Sequence, residues 1–152
     1  MKLLRLPAFL LLLASLVVPA SAAYEGWMTD LAAARAKAAA ENKRLVVEFT
    51  GSTWCPPCKA LHAEVLTSPE FAAWSRDKVL VMLDFPRASE RSPEKVAANP
   101  ELAKLMQLKE EFAVTGFPTL FVLDSAGRPL GKQLGYIRGQ GPVEYLKKLG
   151  VD

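Results

Sequence analysis

Four stretches read as β-strands: RLVVEFT (44–50), KVLVMLDF (78–85), TLFVLD (119–124) and PLGKQLGYI (129–137). What lies between them restricts the fold more than any other feature. The first two are separated by a segment with helical periodicity, long enough for the crossover that parallel pairing needs. The last two flank SAGR, a turn sequence suited to a hairpin. An alanine-rich helix is expected near 30–41, with Thr29 or Asp30 as N-cap. From Cys55 a second helical pattern runs until Ser68-Pro69 interrupts it, before a further piece over 70–77. Residues 93–114 are largely helical with a break around Asn99-Pro100, and GPVEYLKKLG closes the chain as a short helix. Early β-α-β segments followed by a hairpin and a final helix imply an α/β domain with a central mixed sheet, flanked by helices on both faces. The 86–93 link, PRASERSP, is too short to separate domains and reads as a surface loop.

The first 22 residues do not belong to that domain. Lys2 and Arg5 precede an apolar run of about 13 residues, Leu6 to Val18, and Ala20-Ser21-Ala22 forms an A-x-A cleavage pattern. A bilayer span needs about 20 residues, so a cleaved signal peptide is expected over 1–22, with an uncleaved anchor as the alternative. The mature domain, 23–152, is then periplasmic or secreted. Removing Lys2 and Arg5 from 19 basic residues leaves 17 against 16 acidic ones, a net charge of +1. A nearly neutral domain has no electrostatic footprint for nucleic acid.

The two cysteines of the chain sit in GSTWCPPCKAL, three positions apart. A structural zinc site needs four ligands, and the chain offers Cys55, Cys58 and one histidine, His62. Covalent haem attachment wants C-x-x-C-H, but Lys59 stands where that histidine would be. A structural disulfide closing so small a loop removes little unfolded-chain entropy. A redox dithiol remains. The strand ends at Thr50 and a helix begins near the second cysteine, so Cys55 falls at a helix N-terminus, where unpaired N–H groups and the helix dipole favour an anionic sulfur. Cys55 is therefore expected to be the nucleophile. Cys58, one turn inward, is expected to resolve the mixed disulfide.

EFTGSTWCPPCKAL together with VTGFPTLFVLDSAGR resembles the thioredoxin superfamily, in particular exported bacterial thioredoxin-like proteins. The resemblance spans essentially the whole mature chain. It implies the thioredoxin fold, dithiol–disulfide exchange, and a cis Pro118 packed opposite the cysteines. It also implies a buried carboxylate that takes the resolving cysteine's proton. Glu48 stands at the matching strand position, with one extra residue before the motif; a solvated strand-end glutamate is the other reading. The lysine that accompanies the family's aspartate has no clear counterpart.

Pro56 and Pro57 have no backbone N–H, so both are expected to tune the redox poise. They leave Cys58 and the dipole to stabilise the Cys55 thiolate, and no histidine lies between the cysteines. A less stabilised thiolate lowers the reduction potential, towards thioredoxin's roughly −270 mV and away from the roughly −120 mV of a strong periplasmic oxidant. Trp54, Phe117 and Pro118 are the expected substrate-binding residues, although Trp54 and Phe117 also fit simple packing roles. Lys59 reads as an exposed helix lysine, His62 as partly buried without a redox role, and Gly135 as a match to a family glycine near the active surface. No dissociable cofactor and no metal are expected, only a redox-active Cys55–Cys58 disulfide. The expected partners are proteins with disulfides and a membrane-bound or periplasmic thiol electron donor; the protein itself is expected to be a monomer. Two rivals stay open: a disulfide oxidase or isomerase, and a redox-inert peptide-binding module.

Overall fold

The computed structural model describes residues 24–151. The leader expected over 1–22 lies outside them. The chain folds as α1 (Leu31–Glu41), β1 (Arg44–Thr50), α2 (Pro56–Leu61), α3 (Pro69–Ser75), β2 (Lys78–Asp84), α4 (Pro93–Ala98), α5 (Pro100–Glu111), β3 (Thr119–Leu123), β4 (Pro129–Leu134) and α6 (Pro142–Leu149). The sheet order is β2-β1-β3-β4. β1 pairs parallel with β2 and antiparallel with β3, which pairs antiparallel with β4. This is the mixed sheet that the strand spacing predicts.

Local chemistry sets most of the boundaries. The Asp30 carboxylate accepts from Ala32 N and Ala33 N, and Asn42 ends α1 in the left-handed region at φ 49°. Pro100 opens α5 at a position where a missing N–H costs nothing, and the Asn99 side chain caps Leu102 N at 3.1 Å. After Leu61 the helix of the motif widens into a π-helical turn over His62–Leu66. The Thr67 N–H and hydroxyl both reach back to His62 O, at 3.2 and 3.1 Å, and close that wider turn. A uniform helical period does not predict it. The segment before α1 also pairs: Met28 N donates to Leu80 O and Met82 N to Met28 O, covering the outer edge of β2.

Strand alternation divides the core in two. Val47 and Phe49 of β1 point towards α1 and α5, together with Val81, Leu83, Phe121 and Leu123. Val46 faces the other way, with Leu120 and Val122, against Leu61, Val65, Phe71, Tyr145 and Leu149. Gly131 lets the end of α6 lie against β4, where a Cβ would run into the Leu149 carbonyl.

Candidate active site

β1 delivers the chain to the site, and the start of α2 holds it there. Cys55 is the N-cap of α2, with extended backbone angles of φ −92° and ψ 108°. Pro56 and Pro57 occupy the first two helical positions, where their missing N–H groups would have been unpaired in any case. The backbone donor that reaches Cys55 Sγ is Cys58 N–H, at 3.3 Å. The two sulfurs are bonded to each other, with the Cα atoms 5.2 Å apart. Cys55 keeps 4% of its surface exposed and Cys58 1%, so the disulfide shows solvent only a sliver, mainly at Cys55.

The loop before the motif is tied down at both ends of its turn. Ser52 N and Oγ donate to the two oxygens of Asp84, at 2.8 and 2.5 Å. Trp54 Nε1 donates to Phe85 O at 2.7 Å, and Phe85 N to Thr50 O at 2.9 Å. Gly51 is required here, because a Cβ would meet the Trp54 indole at 2.5 Å. Trp54 is thus half-buried, a fixed wall and not a core residue. Its ring meets Phe117 edge-to-face at 5.9 Å, and Phe117 packs on Phe85 at 4.9 Å. The Phe117–Pro118 bond is cis, Pro118 is buried, and its carbonyl accepts from Gly135 N at 2.7 Å. Lys59 is exposed, and His62 is half-buried with its ring 4.6 Å from that of Tyr24.

Glu48 has no exposed surface. It alternates with Val46 and so lies on the sheet face that α2 covers. Neither carboxyl oxygen accepts a hydrogen bond of ordinary length. Burial pushes its pKa up from the ordinary 4.5 to about 8; the Asp84 charge acts in the same direction, and the nearby Thr50 and Tyr24 hydroxyls oppose it. A solvated strand-end glutamate does not describe it. Sequence reasoning missed three contributors: Asp84, which anchors Ser52; Tyr24, beside Glu48; and Arg91, whose guanidinium lies over Trp54 and Phe117 at 5.9 and 5.7 Å. A Ser-x-Trp-Cys loop needing an anchor was a signal for the first; nothing local marks the others. Among the described residues, no three of His, Cys, Asp or Glu gather as a metal site.

A cysteine pair capping a helix after a central strand, with a cis-proline loop that meets the motif through Phe117 and Trp54, is a thioredoxin-type dithiol site. The chain belongs to the thioredoxin-like family: the family model described as "Thioredoxin-like domain" matches residues 31–150. It is 32% identical over 110 residues to "Disulfide bond reductase DsbH" of Chlamydia pneumoniae, covering 72% of this chain and 61% of that protein. A "Protein disulfide-isomerase" of Triticum aestivum is 32% identical over 111 residues, 73% of this chain but 19% of the relative. The chain therefore spans less than two thirds of either relative. Among solved structures, "DsbH Oxidoreductase" superposes with a TM-score of 0.63 at 28% identity, covering 80% of this chain and 79% of that one.

Proposed function

We propose that this protein is a thiol–disulfide oxidoreductase that reduces disulfides of other proteins outside the cytoplasm, acting as a monomer. The observation that carries the reading is the Cys55–Cys58 disulfide at the start of α2, with Cys58 N–H reaching Cys55 Sγ. In the reduced form, the Cys55 thiolate attacks one sulfur of the substrate disulfide. A Cys55–substrate bond forms as the substrate bond breaks, and the departing thiolate takes up a proton. Cys58 gives its proton to Glu48 in the ionised form, which becomes the major one only above about pH 8, and attacks Cys55 Sγ; the second substrate sulfur leaves as a thiolate and takes up a proton. Two electrons pass to the substrate, and the chain is left as the disulfide.

A carboxyl pushed to about 8 lies close to a thiol's ordinary value of about 8.5, so the proton moves between them with little driving force in either direction. The cycle needs no dissociable cofactor. It does need a dithiol protein to return the two electrons, and in an oxidising compartment we assign that role to a membrane-bound or periplasmic donor. The leader-like residues 1–22 support that location. A cleft of about 350 Å³ lies between α1 and the β3–β4 turn and one of about 370 Å³ between the start of α1, β2 and α5, and neither includes a cysteine.

Reduction is favoured over oxidation because Pro56 and Pro57 withhold two donors from the thiolate, and a relative is named for it. Insulin reduction should fall to background in Cys55→Ser. Cys58→Ser should accumulate mixed disulfides on non-reducing gels. Equilibration with glutathione should give a potential nearer roughly −270 than −120 mV. Full activity in Cys55→Ser would discard the nucleophile, and an oxidant-like potential would discard the direction.

A further inference from the structure

We propose that Arg91 is a specificity-determining residue that selects disulfides flanked by Asp or Glu in the substrate peptide; the proposal rests on the reductase reading above. Arg91 ends a short 3-10 turn (Ala88–Glu90), where its N–H donates to Ala88 O at 3.1 Å, so its backbone is placed before any substrate arrives. Its guanidinium lies 5.9 Å from the Trp54 ring and 5.7 Å from that of Phe117. Those rings belong to the residues preceding Cys55 and Pro118, so the cation stands beside the loops that carry the disulfide and the cis-proline.

No carboxylate among the described residues pairs with it. Its Nε is buried without an acceptor. Glu90, the neighbour in sequence, uses Oε2 on Arg87 N at 3.0 Å, and Asp84 takes both Ser52 donors. Arg35 supplies the contrast. It too lies over a ring, Phe112 at 5.4 Å, but it holds Glu111 at 2.8 Å. A guanidinium offers pairs of N–H groups that receive a carboxylate bidentately, and stacking on aromatic rings leaves that capacity intact. At Arg91 that carboxylate is missing, and a substrate segment crossing Trp54 and Phe117 brings its own.

The test uses the reduced full chain and two synthetic disulfide peptides, identical except for Asp or Asn on either side of the cystine. The wild type should favour the acidic peptide by about tenfold in kcat/KM at low salt, with the preference shrinking as salt screens the charge. In Arg91→Gln the ratio should fall to about one, whatever the absolute rates. Arg91→Lys should keep part of it, because the charge remains and the planar fork does not. Equal rates in the wild type, or an unchanged ratio in Arg91→Gln, would overturn the proposal. An equal slowing on both peptides with the ratio preserved would overturn it too, placing Arg91 in support of the thiolate or the ring wall. Failure of the wild type to reduce either peptide would strike the reductase reading itself, and this proposal with it.

Discussion

The two faces of the sheet are built from the same strands and differ in kind. Towards α1 and α5 the packing is apolar: Phe49 stacks among Phe85, Phe112 and Phe121 with centroids 6.0, 5.2 and 5.7 Å away. Towards α2, α3 and α6, the same β1 strand sends in Glu48 among apolar side chains, and the Tyr145 hydroxyl joins it buried and unpartnered. Unpaired buried polar groups are destabilising. Glu48 and Tyr145 lie on the face that α2 and α6 cover, whereas the aromatic rings around Phe49 fill the opposite one. Both faces carry a buried apolar core, and one of them also holds an unpaired carboxyl.

The largest effect expected from this division is on the apolar face. Phe49→Ala should lower unfolding free energy by about 3–5 kcal/mol in urea titrations, since it empties the centre of four rings. The pH dependence of stability should remain that of the wild type. A loss below about 1 kcal/mol would mean that this face is not the principal core.

On the other face the sign reverses. Glu48 keeps its proton in the folded chain up to about pH 8, whereas its ordinary value is 4.5. Between those values the folded state holds a proton that the unfolded state has lost. Stability therefore falls as pH rises through this window and is fully retained only below it. Glu48→Leu should remove the slope, stabilising the protein by about 2–4 kcal/mol at pH 8 and by much less at pH 4. The same variant should slow resolution of the mixed disulfide, which pulse-quench trapping would measure. A gain that does not change with pH would separate Glu48 from the titration; an unchanged resolution rate would separate it from Cys58.

The difference between the faces also explains what the sequence made legible. RLVVEFT is apolar on the side of Leu45, Val47 and Phe49, so burial of that face follows directly from alternation, whereas the other side offers only Val46 among Arg44, Glu48 and Thr50. The fate of Glu48 does not follow, because a carboxylate near a strand end reads equally well as solvated. Only the cover supplied by α2, α6 and Tyr24, from three separate parts of the chain, decides it. The cysteines were legible because the N-cap, both prolines and the Cys58 donor are neighbours in sequence. Arg91 was not: it lies in a polar run, and its two rings arrive from residues 54 and 117. The π turn at His62–Leu66 escaped as well, since its apolar spacing reads as an ordinary helix and the Thr67 bonds to His62 O appear only in the folded turn.

The smallest effect gives the finest test, because two tyrosines on the polar face touch each other and differ in their partners. Tyr136 and Tyr145 meet with ring centroids 5.6 Å apart. The Tyr136 hydroxyl donates to Glu64 at 2.6 Å and accepts from Gly141 N at 3.2 Å. The Tyr145 hydroxyl has no partner. Removing a paired hydroxyl leaves its partners unsatisfied, whereas removing an unpaired one relieves a desolvated group. Tyr136→Phe should therefore cost about 1–2 kcal/mol, and Tyr145→Phe should be neutral or stabilising by up to about 1 kcal/mol. Because the rings touch, the double variant must be measured as well, and the cycle isolates the hydroxyl contribution. Equal losses from both single variants would show that the Tyr145 hydroxyl is satisfied, leaving the Glu48 carboxyl and the Thr50 hydroxyl as the unpaired groups of β1 on that face.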